Sequence, residues 1–438
     1  MRLSPWISFF VLVFFSSCAS APTVQPQVNG LVVAERFDQA LKVLEKHKDG
    51  YGKNNELLYL MDKGLVLHLA GRYAESIPVF EAAKIQYDQL YTKSISRMAG
   101  TWVYNDYAMP YLGEDFERVM VNVFQALNFV ALGEYSEALV EARDADIVLN
   151  TINAQYSPKQ KNVYREDAFA RFLMGIFYEA QGDRTGVNDA FISYRKAVET
   201  YESDYLPNYK LGPPRLLIEN LLAAAQVIDP QSFDAYRAKY QNVRFSSITR
   251  KQQRAEVYLI HYNGLSPLKY QDSVVFPLPG GYISKIAFPR YKKRIYERET
   301  GHFSAVAENR KVFRYPTELG QDIGGIAMKN LDNRKVRVLA KAVLRPAGKY
   351  LAERAAEKAI AAKYGDTSAD VARYASDIYN VYSEQADVRA WQTLPAEIRI
   401  ARLILPPGDY DLRLDGMSLG HVSLKAGDKK FVLKRTSR

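Results

Sequence analysis

Five histidines, His47, His68, His261, His302 and His421, are the side chains best suited to general-base or zinc chemistry near neutral pH. They stand far apart, with no H-E-x-x-H pair and no partner at ligand spacing, so the sequence predicts no metal site and no cofactor. Two Ser-x-x-Lys pairs, Ser193/Lys196 and Ser266/Lys269, have the spacing of a serine acyl-transfer site in which lysine takes the hydroxyl proton. Neither is accompanied by Ser-Asp-Asn or Lys-Thr-Gly; the first falls on a helical pattern and the second surrounds Pro267. The sequence also contains no G-x-S-x-G elbow, phosphate-binding loop or dinucleotide fingerprint. A carboxylate pair for glycoside hydrolysis meets only in space and leaves no spacing to read. The expectation is a chain that is not an enzyme.

The one cysteine, Cys18 in "FFSSCAS", carries a different kind of chemistry. Arg2 and the apolar run Ile7 to Phe15 read as an export signal, too short to span a bilayer. Two processing readings compete. Ala19-Ser20-Ala21 offers a small-residue cleavage site, but Pro22 follows the cut and suits a protease poorly. Ser16-Ser17-Cys18 resembles a bacterial lipobox, with Phe15 where leucine is usual. On that second reading residues 1–17 leave and Cys18 becomes the lipid attachment site. At ~0.8 kcal/mol per buried CH₂, two or three acyl chains hold a protein on a membrane. Ala19, where some lipoproteins have Asp, favours the outer membrane facing the periplasm. Residues 18–30, "CASAPTVQPQVNG", read as an extended tether. A lone thiol forms no disulfide within its own chain, so stability must come from packed cores.

The chain has 438 residues and a formal charge of +10, which suggests anionic company: lipid head groups, peptidoglycan carboxylates or acidic proteins. Nucleic acid is not an expected partner outside the cytoplasm. Past the signal no apolar run reaches about eighteen residues, so no transmembrane helix is expected. Two basic features stand out. Arg290, Lys292, Lys293 and Arg294 form a cluster that either touches an anionic surface or is a solvated turn, and Arg337, Lys341, Arg345 and Lys349 share a helical face if the helix survives Pro346.

The first half reads as degenerate helical repeats. In "GLVLHLAGRYAESIPVFEAAK", Gly64, Gly71, Tyr73, Phe80 and Ala83 follow the tetratricopeptide pattern, in which small residues let helices cross and aromatics fill the space between. The pattern recurs around Ala126, Gly133 and Tyr135, and around Gly175, Gly182 and Tyr194; upstream, Phe37, Ala40 and Leu44 suit a second helix. Turn positions Glu35, Gly71, Gly133 and Gly182 are spaced by 36, 62 and 49 residues, so the array is irregular. A plain helical-hairpin bundle is the alternative. Between the repeats, Trp102, Tyr104, Tyr107 and Tyr111 are candidates to line an inner, partner-binding surface.

After "PNYKLGPP" and a last helical stretch to about Ala235, the pattern turns to strands from Arg254, to helix from about Thr317 to Glu384, and again to strands. Four strands over 396–438 read as a small antiparallel module, and the run near residue 255 is expected to share a sheet with the carboxyl end. The fold class is α+β and multidomain, with a helical domain at 31–245 and an α+β domain at 246–438. Asp387, Arg389 and Trp391 either form an exposed partner anchor or pack inward.

"YGKNNELLYLMDKGLVLHLAGRYAESIPVFEAAK", "NVFQALNFVALGEYSEALVEAR", "NGLSPLK" and, most specifically, "ADVRAWQTLPAEIRIARLILPPGDYDLRL" resemble a family of bacterial outer-membrane lipoproteins with tetratricopeptide-like repeats. The resemblance covers most of the mature chain and names no reaction. It implies an architecture more than a function, in a family often encoded near a lipoprotein resembling the activators of penicillin-binding proteins. The repeat array and the anchor together predict a lipid-anchored periplasmic scaffold that recruits an envelope protein through its helical groove. The rival classes are a module binding peptidoglycan or lipid directly, and a hydrolase of an envelope polymer.

Overall fold

The computed structural model describes residues 24–97, 109–154, 164–279, 281–297 and 300–436, and the side chains of these other than 92–97, 335–347, 366, 375, 378, 379, 382 and 383. Helices of eight residues or more are numbered in chain order.

The first half is a succession of helical hairpins: α1 (Gln25–Val33) with α2 (Phe37–Lys46), α3 (Glu56–Leu69) with α4 (Tyr73–Arg97), α5 (Asp115–Leu132) with α6 (Tyr135–Ala154), and α7 (Ala168–Glu179) with α8 (Arg184–Thr200). Each pair reverses through one left-handed residue: Glu35 at φ 55°, Gly71 at 74°, Gly133 at 83° and Gly182 at 80°. These are the turn positions expected from the sequence. Glycine takes that backbone without a Cβ clash, and Glu35 takes it at some steric cost. Where α3 crosses α4, a Cβ on Gly64 would sit 2.7 Å from the Phe80 ring, and Gly175 of α7 lies as tightly under Tyr194 of α8. Side chains of Asp167 and Asp183 cap α7 and α8 by accepting from the backbone N–H of Ala170 and Gly186. Helices α9 (Arg215–Ile228) and α10 (Pro230–Lys239) close the array.

Strand β1 (Ala255–Asn263) pairs antiparallel with β7 (Glu397–Leu405) and parallel with β10 (Lys429–Thr436); β6 (Glu318–Gln321) adds to β7, giving the order β10-β1-β7-β6. A second sheet has the order β5-β4-β8-β9, from β4 (His302–Ala307), β5 (Val312–Pro316), β8 (Gly408–Leu414) and β9 (Met417–Leu424). Every residue of β1 is buried, because the strand is covered on both faces. Tyr258, Ile260 and Tyr262 join the core of the helices, while Val257 and Leu259 meet Phe303, Leu412 and Leu414 of the second sheet. The molecule is thus α+β in three layers: helices, sheet, sheet.

Four expectations are corrected. Residues 25–30, expected as tether, are helical, since α1 begins at Gln25 and buries Val28 and Val32. The 246 boundary separates no cores, because one core runs from α1 to Ile400. The last four strands form no module of their own. β7 is buried on both faces and takes a central place in the first sheet, with β10 at that sheet's edge, while β8 and β9 join the second. The stretch near Thr317 opens with β6, and helix starts only at Ile323.

From this body projects a ribbon of β2 (Leu268–Leu278) and β3 (Tyr282–Lys292), eleven paired residues long, or about 36 Å at strand rise. It is backed on the β3 side by α11 (Ile323–Tyr364) and α12 (Asp366–Ser383). Helix α11 runs through Pro346 over 42 residues, roughly 63 Å. The side chains of Arg337, Lys341 and Arg345 lie outside the described residues, and Lys349 pairs with Glu384 at 3.1 Å.

Candidate functional site

Residues between α12 and β7 cross the helical array as a strap. Arg389 is 1% exposed. Its Nε and Nη2 donate to Asp387 Oδ1 and Oδ2, each at 2.8 Å, and its Nη1 donates to the Met109 carbonyl at 2.9 Å and to Asn55 Oδ1 at 3.1 Å. Trp391 is equally buried, edge-on to Phe80 and Phe124. Its backbone N–H donates to Glu117 Oε1 at 2.7 Å. Two residues on, Thr393 Oγ1 donates to Asp62 Oδ1 at 2.7 Å.

The carboxylates that receive the strap are buried and crowded with donors. Asp62 Oδ2 accepts from Tyr51 at 2.8 Å and Gln25 at 3.2 Å, and burial pushes its carboxyl up to about 6. Glu117 Oε2 accepts from the Tyr111 hydroxyl at 2.5 Å and from the Glu114 backbone N–H at 2.9 Å. Burial, with the Glu114 charge beside it, raises Glu117 to about 7. Burial pushes Glu114 upward too, but Lys269 at 2.7 Å and Arg334 overcome it and hold the group at about 2. Such raised values suit proton transfer, but here every oxygen of Asp62 and Glu117 already fastens one part of the chain to another. Their work is positional.

A second buried charge cluster joins helices to sheet. Glu179 of α7 meets Lys251 and, at 3.0 Å, Lys429; Arg402 of β7 reaches Glu219 at 2.8 Å and Glu256 at 3.2 Å. All six are nearly inaccessible. His68 sits in the same interface between Asn128 Oδ1 at 2.6 Å and the Tyr262 hydroxyl at 2.7 Å, and burial lowers it to about 4.

Of the proposed partner-binding residues, Trp102, Tyr104 and Tyr107 lie outside the described residues, as does Cys18. Tyr111, Arg389 and Trp391 face inward, so the exposed anchor is corrected: an arginine bonded to the Met109 carbonyl and the Asn55 side chain, and a tryptophan between phenylalanines, hold the strap instead. The helical face expected to take a partner takes this strap and β1. Ser193 donates to Asp189 O and Ser266 to Trp391 O, while Lys269 serves Glu114. Among the described residues no group of three His, Cys, Asp or Glu could hold a metal, and no helix is long and apolar enough to cross a membrane.

The basic cluster divides. Arg290 pairs with Asp272 at 2.9 Å, Lys292 and Lys293 are exposed, and Arg294 is half-buried, donating to Gln392 Oε1 at 3.2 Å. Sequence reasoning passes over Asp62, Glu114 and Glu117. The signals are there: Asp62 is an acid inside the apolar run "ELLYLMDKGLVLHL", and Glu114-x-x-Glu117 before "RVMVNVF" has capping-box spacing, which the structure realises. No family model matches the chain, and no curated protein matches it.

Proposed function

We propose that this chain is a lipid-anchored periplasmic scaffold of the bacterial outer membrane, with a tetratricopeptide-like helical half, which recruits a protein partner for work on the cell envelope. Left-handed turns at the expected positions and the Gly64–Phe80 and Gly175–Tyr194 crossings support the repeat reading. Recruitment falls to the projecting ribbon, since the inner helical face is taken up by the chain itself.

The observation that carries this is the state of β2. Among the described residues it pairs only with β3, leaving its outer edge open, and Tyr270, Val274 and Val275 are 41%, 55% and 55% exposed. An open edge with apolar side chains is where an extended segment of another protein adds a strand: main-chain bonds give affinity and alternate side chains give choice. Acyl chains on Cys18 would raise the effective concentration of that contact.

The test is a photo-cross-linking residue in place of Tyr270 in living cells. A discrete protein adduct is expected, and Val274→Lys with Val275→Lys, which blocks edge pairing, should abolish it. An adduct unchanged by both lysines, or none beyond the background of a buried position, overturns the reading of the ribbon. Labelled palmitate incorporated into the native chain but not into Cys18→Ser tests the anchor.

A further inference from the structure

We propose that the loop after β3 is a lipid-facing edge that lays Lys292, Lys293 and Ile295 on an anionic membrane leaflet. Three observations meet there. The first is proximity to the start of the fold. Gln25 at the head of α1 donates to Asp62 and to the Ala390 carbonyl, each at 3.2 Å, and Asn29 one turn on donates to Gln392 Oε1 at 2.9 Å. Arg294 donates to that same Gln392 oxygen at 3.2 Å. The basic loop and the first helix are therefore one side chain apart. Val24 lies six Cα-to-Cα steps from Cys18, a reach of about 20 Å when extended. An acyl group on Cys18 would keep this edge close to the leaflet.

The second observation is a built apolar projection. The loop is pinned on both sides of Ile295: Arg294 by Gln392, Tyr296 by its ring against Gly264, where a Cβ would stand 2.5 Å from it, and the Glu297 carbonyl by Asn263 Nδ2 at 2.8 Å. Between these fixed points Ile295 is fully exposed, at 104%. A large apolar side chain held out by a braced loop loses contact with water only if something covers it.

The third is charge. Lys292 and Lys293 are exposed beside Ile295, and Arg290 adds a guanidinium already shared with Asp272. Glu297 is an acid on the same loop, and Arg298 and Glu299 follow it in the sequence. Basic residues flanking an apolar side chain suit the boundary between phosphate head groups and acyl tails, where lysine keeps its ammonium at the phosphates. Anionic lipid is thus the occupant that both features fit at once.

This inference rests on the proposed anchoring only for where the leaflet lies, and the two fail separately. The mature chain carrying Cys18→Ser, which holds no acyl group, is mixed with vesicles of phosphatidylethanolamine and phosphatidylglycerol, or of phosphatidylcholine alone, and sedimented. Binding is expected on the anionic vesicles and to weaken with salt. Lys292→Ala with Lys293→Ala should weaken it about 25-fold, at about fivefold per lysine, and Ile295→Ser should weaken it as well. Lys358→Ala with Lys363→Ala, exposed on α11, should leave it unchanged. Equal binding to neutral vesicles, equal loss in both lysine pairs, no loss in the loop variants, or binding to purified sacculi without binding to vesicles overturns the proposal. Palmitate labelling of the unmodified chain reads the anchor independently.

Discussion

The Trp391 backbone N–H meets Glu117 Oε1 at 2.7 Å although 274 positions separate them in the chain. This bond, with Thr393 on Asp62 and Arg389 on Asn55, makes the strap part of the helical half's interior. Replacing Trp391 by alanine removes a fully buried side chain from between Phe80 and Phe124. We predict a loss of about 3–5 kcal/mol in chemical denaturation. Because the core is shared, helical circular dichroism and near-ultraviolet signals should fall in one transition. Two separated transitions would contradict a shared core.

A fragment of residues 24–254 offers a harder test. It retains every helical hairpin of the first half but leaves Phe124, Leu127 and Phe172 without Tyr258, Ile260, Tyr262 and Trp391. The fragment should bind a hydrophobic dye and lack a sharp near-ultraviolet spectrum. A well-dispersed amide spectrum from it would mean that the helices complete their own core.

Two glycines of the helical half should respond with opposite sign. Gly30 lies inside α1 with open space where a Cβ would go, so Gly30→Ala should stabilise by about 0.5–1 kcal/mol through backbone entropy. Gly175 lies under the Tyr194 ring, and Gly175→Ala should cost about 1–3 kcal/mol. Thermal melts of the two variants decide the matter; a Gly175→Ala protein as stable as the parent would mean that the α7–α8 crossing is looser than described.

Charge burial separates two arginines. Arg402→Leu leaves Glu219 with the exposed Arg215 alone as its cation and weakens the neutralisation of Glu256 deep between helices and sheet, and should cost about 3 kcal/mol or more. Arg290→Ala breaks an ion pair of which both members are well exposed, and should shift stability by no more than about 1 kcal/mol. Denaturant midpoints measured side by side check the contrast, and equal effects would refute it.

His68 sets a pH dependence whose sign is fixed. Burial holds its folded value near 4 against 6.5 in the unfolded chain, so between those values the unfolded chain takes up more protons. The contribution of His68 is complete above pH 6.5 and is lost as pH falls toward 4, a change of about 3 kcal/mol at most. Asp62 and Glu117, raised to about 6 and about 7, act the other way, so stability from them grows as pH falls through the same window. Net stability blends the two, but the parent minus His68→Gln difference isolates the histidine. That difference should shrink from pH 7 to pH 5, and a constant one would show that His68 takes no part.

Local signals are well preserved in the sequence, and long-range ones are not. A residue that must adopt positive φ leaves a glycine, so Gly71, Gly133 and Gly182 are legible as turns from residue type and spacing alone, as is the Gly64–Phe80 pairing of small with aromatic. The alternation in "AEVYLIHYNG" announces β1 and its kinship with the carboxyl end, though not that β10 lies parallel to it. That pairing is set by what covers each strand's faces, which one strand's pattern does not contain. The strap's Trp391 is as legible packed as exposed, yet the strap's partners Asp62 and Glu117 look like ordinary helix residues. A buried carboxylate and an exposed one are spelled alike. Only the neighbours, supplied from positions 387 to 393, distinguish them.

β1 is hydrogen-bonded on one side to residues 397–405 and on the other to residues 429–436. The strand that fastens the helices to both sheets is therefore completed only by segments far downstream of it. Until then more than half of the polypeptide waits with its greasy face unclosed. Such a chain gains its stability in one late closure rather than hairpin by hairpin.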